Sequence, residues 1–422
     1  MRPPLIASAG WRSATVFVLY AYQGLVAGFA VTALPNHFAA LGANASEVGA
    51  HVAMVGLPWI LQPLWGPVVD RFGGFRMGRR RFWIVAGILL SLLALTRLLL
   101  VEEAGRHDLP ALSLVFLAHS ALASLTDTAT DGMIIDHVPA GRLGIANATT
   151  RAGFVTGISL GAAGFGWLLA RHGLQAASAV LLAIGTLALV LPLLVREAPG
   201  DAWLSLRQRP LARPSGLGRL LRGLGRSLAQ PRMMLLLAFC FAVDLAAAAF
   251  RVPLAVELVQ RLGWTAEALS GFQGLAGFLA GTAGALAIGW WTDRTGAPRA
   301  LTILLACSAL SHGAAGLMLG QMMGGGAGVA GPLALALSTV TPALVFVALA
   351  PAVMQASRGE AAATRFALFM AALNMGDVAG ASLSGFLVEQ LGLPLLGLAA
   401  AAMFLGGAAV VRFGLPGPRP TA

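Results

Sequence analysis

Long apolar runs separated by short polar breaks dominate the chain, and their length decides what they are. A helix rises about 1.5 Å per residue, so about 20 apolar residues cross the roughly 30 Å hydrocarbon core of a bilayer. Runs of that order recur near 14–40, 47–69, 82–101, 111–138, 145–170, 174–195, 233–258, 267–291, 299–320, 332–356, 363–388 and 394–413. The pattern predicts an all-α integral membrane protein with twelve transmembrane helices. The first run is too long for a signal-peptide core and lacks a small-residue cleavage site, so it reads as a retained helix. A polar, Arg/Pro/Gly-rich stretch divides the runs six and six. It predicts one half over 1–195, a basic linker over 196–232 and a second half over 233–422.

A repeated motif relates the halves. Gly66, Asp70, Arg71 and Gly73 are matched by Gly289, Asp293, Arg294 and Gly296, 223 positions later (289 − 66). Each set closes the second helix of its half, so two pseudo-symmetric six-helix halves in tandem are the simplest reading. Arg79, Arg80 and Arg81 extend the first copy.

Composition agrees with the pattern. The chain is 58% hydrophobic and only 11% charged, against about 25% charged in soluble domains. Its charge of +11 comes from 28 arginines and no lysine, which fits a GC-rich genome better than a chemistry. Most of the arginines lie in loops without aromatic platforms, so nucleic acid is not the expected partner. Twenty-two of them fall on one side of the predicted spans and only Arg106, Arg171 and Arg261 on the other. That asymmetry places both termini and the linker in the cytoplasm. Cys240 and Cys307 lie in apolar runs and are expected to be free, buried thiols. No cluster has metal-ligand spacing, no cofactor motif is present, and no nucleophile–base pair suggests an enzyme.

Charges inside the spans carry the chemistry, because each costs at least about 2.5–3.5 kcal/mol near the bilayer centre. Asp127 and Asp131 are four apart on helix 4 and share a face; Asp136 follows at its cytoplasmic end. Helix 5 carries Arg151, helix 7 carries Asp244 and Arg251, and helix 11 carries Asp377 beside Asn374. Two readings compete. Near the surface, Asp131 or Asp136 is expected to pair with Arg142 or Arg151, and Asp244 with Arg251. Deeper in the membrane, Asp127 and Asp244 are candidate proton carriers or solute ligands, and Asp377 stands open to both readings. Two carboxylates so close resist double ionisation, a property suited to proton coupling. Gln23, His119, Tyr20, Tyr22, Asn36, Gln273 and His312 add a polar layer. His119, about two turns before Asp127, is the best histidine candidate. Glycines four apart (Gly153, Gly157, Gly161; Gly277, Gly281; Gly376, Gly380) predict close helix contacts. Pro35, Pro253, Pro342 and Pro351 are expected to break or bend helices 1, 7 and 10.

The repeated loop motif with Gly78–Arg81 resembles that of the major facilitator superfamily over the whole chain. Within it, GLPWILQPLWGPVVDRF…GRRRFWI, ALASLTDTATDGMIID and ATRFALFMAALNMGDVAGASLSGFLVEQLG resemble the branch of muropeptide permeases, acetyl-CoA transporters and single-component ferri-siderophore permeases. Twelve helices and YQGLVAGFAVTALP look closest to the siderophore type. Three positions depart from the branch. Gln62 stands where a basic residue is common, and Gly87 and Thr126 stand where glutamines are common. The resemblance implies a monomer in the bacterial cytoplasmic membrane, working by alternating access. Asp70, Arg71, Arg79–Arg81, Asp293 and Arg294, with Gly66 and Gly289, would latch its cytoplasmic face. The reading is a proton-coupled importer of a medium-sized polar organic solute, with the solute, protons and lipid as partners. An exporter on the same fold and a non-transporting assembly factor are the alternatives. Helix 5 lacks the glycine–proline motif of exporters, and decayed cavity acids would mark the assembly factor.

Overall fold

The computed structural model describes residues 7–101, 105–138, 143–208, 230–322, 330–356 and 362–414, and among them no strand. Twelve helices follow one another: α1 (Ala9–Ala40), α2 (Ala45–Val69), α3 (Arg81–Leu100), α4 (Leu109–His137), α5 (143–172), α6 (174–194), α7 (Pro231–Gln260), α8 (266–295), α9 (Ala297–Met322), α10 (Ala330–Ala356), α11 (362–391) and α12 (393–414). The pairs α5/α6 and α11/α12 are continuous stretches of 52 and 53 residues. Straight, each would be about 78 Å long, far more than a bilayer. Each reverses instead at one glycine of positive φ, Gly173 (75°) and Gly392 (70°). Lacking a Cβ, glycine adopts this conformation without the steric cost that any side chain would add. The reversal is visible in contacts: Gln175 meets the carbonyl of Leu99, while Pro192 meets Arg81 at the other end of α3.

Glycine stripes set the closest packing. Gly153, Gly157 and Gly161 of α5 lie against Phe17, Ala21 and Leu25 of α1, and a Cβ on Gly157 would fall 2.0 Å from the Ala21 carbonyl oxygen. Gly376 and Gly380 of α11 lie in the same way against Phe241 and Leu245 of α7. The same device thus joins the first and fifth helices of both sets of six. Among the described residues two large hydrophobic cores result, one drawn from α1–α6 and one from α7–α12, with Val252, Val256 and Ala381 joining the first, and a small third cluster forms from Val16, Ile134 and Val138.

Helix breaks fall partly where the prolines predict. A π-turn over Phe29–Ala33 precedes Pro35 in α1, and a 3₁₀ turn over Gln62–Leu64, carrying Pro63, interrupts α2. α7 and α10 are continuous helices, however, and α8 contains a π-turn over Ala280–Gly284 that no proline announces. Cys240 is buried as expected, whereas Cys307 lies on the outer surface of the bundle. A helix surface that faces lipid is as apolar as one that faces protein, so hydropathy could not separate them.

The face of the bundle carrying the 72–80 turn is anchored by one guanidinium. Arg81 is 1% exposed, and it donates to the carbonyls of Pro192 (2.6 Å), Met77 (3.0 Å), Ala202 (3.2 Å), Trp203 (3.1 Å) and Leu193. The Glu197 carboxylate accepts the backbone N–H groups of Arg80 (2.8 Å) and Arg81, capping α3. Burial pushes this carboxyl up from its ordinary value, while those N–H groups pull it down. Backbone bonds between Ala202 and Arg76 and between Arg76 and Arg207 complete the attachment, so residues 196–208 lie bonded to the first six helices.

Candidate functional site

Two groups of intramembrane charge form, one in each set of six helices. In the first, Asp127 and Asp131 stand one turn apart on α4. The Gln62 amide, on the 3₁₀ turn of α2, donates to Asp127 Oδ2 at 2.5 Å. Gln23 and Tyr20 of α1 stand beside the same carboxylate, yet its buried Oδ1 has no hydrogen-bond partner. The Tyr20 hydroxyl donates to Asp131 Oδ1 at 2.5 Å. Asp127 is buried and Asp131 is exposed on the protein surface. Among the described residues neither carboxylate is in an ion pair; amides and hydroxyls meet them.

Of the partners expected for this group, the one described lies elsewhere. Arg151 sits over the Phe346 ring of α10, 4.7 Å from its centroid, while Arg142 lies outside the described residues. Asp136 is paired, but with Arg80, whose Nε is 3.0 Å away. His119 turns to α3, where its Nδ1 and Ser91 Oγ share a hydrogen bond of 2.9 Å.

In the second group Arg251 Nη2 donates to Asp377 Oδ1 at 2.8 Å, joining α7 to α11. Their side chains are 45% and 37% exposed, so the pair contributes about 0–1 kcal/mol. Asp244 lies close enough to feel both charges but is bonded to neither. The expected Asp244–Arg251 pair is therefore not formed. Seven residues along a helix separate two Cα atoms by about 10.5 Å, so a carboxylate from the neighbouring helix reaches the guanidinium first.

The three departures from the permease branch all fall at the first group. Gln62 contacts Asp127 directly. Gly87 and Thr126 face each other, for a Cβ on Gly87 would lie 2.2 Å from Thr126 Oγ1. Those two positions form one packing unit, which separate positions in a sequence do not reveal. Sequence reasoning also missed the Tyr20 hydroxyl as the partner of Asp131. The signal was present, since both tyrosines of the chain lie on α1.

Contacts between the two sets of helices are dense at the face opposite the 72–80 turn. Asn36 of α1 donates to Ser270 Oγ (2.9 Å) and Gln273 Oε1 (2.8 Å) of α8. Gln260 of α7 donates to the carbonyls of Ala39 (2.9 Å) and Ala43 (2.8 Å). Ser46 packs on Gly385, and Gly166 on Ser270. At the 72–80 face the side chains of Asp70, Arg71 and Asp293 lie outside the described residues. Arg79 packs against Gly73 and Arg294 over Trp290, 3.9 Å from its ring centroid; a Cβ on Gly66 or Gly289 would meet nothing within 4 Å.

A cavity of about 490 Å³ between α2 and α4 lies away from the acids. Its charges, Glu47 and Arg106, pair with each other at 2.8 Å, and both ring nitrogens of His51 are engaged, so its walls offer little to a solute. Among the described residues no group of three side chains is placed to hold a metal.

A family model described as Major Facilitator Superfamily matches residues 16–361. Solved structures share the architecture. The nucleoside transporter NupG is 15% identical with a TM-score of 0.67, covering 95% of this chain and 98% of its own. A D-xylose-proton symporter is 14% identical with a TM-score of 0.69, covering 96% and 98%. A POT family transporter in complex with a thioalcohol-conjugated peptide is 13% identical with a TM-score of 0.69, covering 96% and 95%. At such identities the likeness speaks for the fold.

Proposed function

Because the chain belongs to the Major Facilitator Superfamily, we propose that it is a secondary transporter of the bacterial cytoplasmic membrane, importing a medium-sized polar organic solute together with protons. One observation carries the coupling: Asp127 and Asp131 are met by neutral donors, Gln62 and Tyr20, rather than by a cation. A guanidinium beside a carboxylate holds it ionised. An amide or hydroxyl stabilises the anion without fixing it. Such a carboxylate can take up and release a proton during each cycle.

Asp244, Arg251 and Asp377 in the second group, and Arg151, are the further cavity candidates; His119 and Gln23 support the first group. The halves 1–195 and 233–422 are the rocking bodies. The linker 196–232 joins them, and the attachment of residues 196–208 to the first set is in keeping with that division. The asymmetry of arginines makes the 72–80 face cytoplasmic. The bonds from Asn36 and Gln260 then seal the outer side, consistent with one end state of alternating access. Gly66, Asp70, Arg71, Arg79–Arg81, Gly289, Asp293 and Arg294 are the proposed cytoplasmic gate, with Arg81 anchoring it. One proton entering down 100 mV supplies about 2.3 kcal/mol, near fifty-fold accumulation. The solute class, ferri-siderophore or muropeptide-like, rests on the branch resemblance.

Uptake into proteoliposomes with an imposed proton gradient tests this reading, screening labelled ferri-siderophores and muropeptide fragments. Gradient-dependent accumulation is expected. Accumulation indifferent to the gradient would remove the coupling, and gradient-driven efflux would reverse the direction.

A further inference from the structure

Inside the first set of helices, between α1, α3 and α4, lies a second and smaller cavity, mostly apolar but with several polar side chains in its wall. Tyr20, Tyr22 and Gln23 of α1, Ser91 of α3, and His119 and Thr130 of α4 face it. The Tyr22 side chain is the unexplained member. It is only 7% exposed and its hydroxyl has no hydrogen-bond partner, although Ser91 stands beside it. A buried hydroxyl left unbonded costs about 1–3 kcal/mol. The cavity measures about 20 Å³, enough for one water, which needs about 10–15 Å³ and two to four polar partners. Tyr22, Ser91 and His119 can supply them.

We infer that this cavity is a binding site for one ordered water, and that the water joins the Tyr20–Asp131 hydrogen bond to the Ser91–His119 hydrogen bond. Two of the links are already made: Tyr20 to Asp131 at 2.5 Å and Ser91 to His119 at 2.9 Å. The water closes the gap between them. The titratable groups that face the space are Tyr20 and Tyr22 from α1 and His119 from α4, and Asp131 is reached from it through the Tyr20 hydroxyl; α3 presents Ser91 and Ile88, and α6 presents Gly185 behind Tyr22. Tyr22 and Ser91 are positioning residues in this scheme, holding the water without taking the proton. When a carboxyl of the pair releases its proton along the chain, the water accepts one proton and passes one on to the imidazole, so its own composition is unchanged. The use of the water rests on the proton-coupled reading above, but its occupancy does not.

Radiolytic labelling of the purified protein in lipid nanodiscs, in ¹⁸O water, reads the occupancy directly. His312 is the internal control, being likewise buried (1% exposed against 5% for His119) and bonded to the Ser308 carbonyl. His119 is expected to take up label about tenfold faster than His312, because a bound water beside the ring is the source of the label. Tyr22→Phe removes the anchor and Ala123→Val fills the space; both are expected to abolish the excess. Equal labelling of the two histidines in the wild type, or excess labelling that survives both substitutions, would overturn the site. Infrared titration of the same samples reads its use. In the wild type, protonation of the carboxyl is expected to perturb the imidazole band through the shared water, and in Tyr22→Phe that perturbation is expected to vanish. Bands that titrate identically in both would leave a water outside the proton path and overturn that part of the inference. A failure of proton coupling itself would appear elsewhere, as gradient-independent uptake by the wild type.

Discussion

The two charged groups of this transporter solve the same problem by opposite means. In α1–α6 a carboxylate pair is met by the Gln62 amide and the Tyr20 hydroxyl. In α7–α12 the Asp377 carboxylate is met by the Arg251 guanidinium at 2.8 Å. Both arrangements lower the cost of acids in a membrane. The second fixes the charge of Asp377, though not that of Asp244, which is bonded to neither Arg251 nor Asp377, whereas both acids of the first are met by neutral donors alone. On the reading proposed above, coupling belongs to the first group, and organisation of the second half or of the solute to the second.

A third arrangement sets the upper end of the scale. Arg81 is a buried cation with five carbonyl acceptors and no direct carboxylate contact among its bonds. Arg81→Ala should cost about 3–5 kcal/mol, since it strips partners from buried groups. The protein is expected to lose most of its folded yield, readable by fluorescence-detected size exclusion and thermal denaturation. Next in size, Gln62→Arg gives the first group the chemistry of the second. Held ionised, Asp127 should lose about tenfold in gradient-driven uptake, or about 1.4 kcal/mol, while the protein stays folded. Unchanged uptake would erase the distinction between the groups. Asp377→Asn should slow driven uptake and solute exchange by the same factor, because it perturbs binding or closure rather than coupling. Arg251→Gln should have the smallest effect on stability, about 0–1 kcal/mol, its pair being half-exposed.

The fold was legible because its signals are local. Twenty-residue apolar runs give twelve spans, and the glycine stripes of α5 and α11 announced close contacts. The stripes could not name α1 and α7 as their partners, since that depends on how helices assemble. The site was legible in part, for the same reason. Asp127 and Asp131 share a face by helical spacing alone. Their partners come from α1 and α2, and Asp136 found Arg80, while Arg151 went to the Phe346 ring. The Asp244–Arg251 expectation failed because residues on one helix face can still be too far apart along its axis. Gly87 and Thr126 stood out singly as departures from the branch; only packing makes them one unit.

The most direct measurement compares gradient-driven uptake with solute counterflow for Asp127→Asn in proteoliposomes, using whichever labelled ferri-siderophore or muropeptide fragment the wild type accumulates. Counterflow needs both conformations but no net proton movement. The account predicts that Asp127→Asn loses accumulation under a proton gradient and keeps counterflow. Full gradient-driven accumulation by the folded variant would contradict it, and the coupling would have to move to the second group.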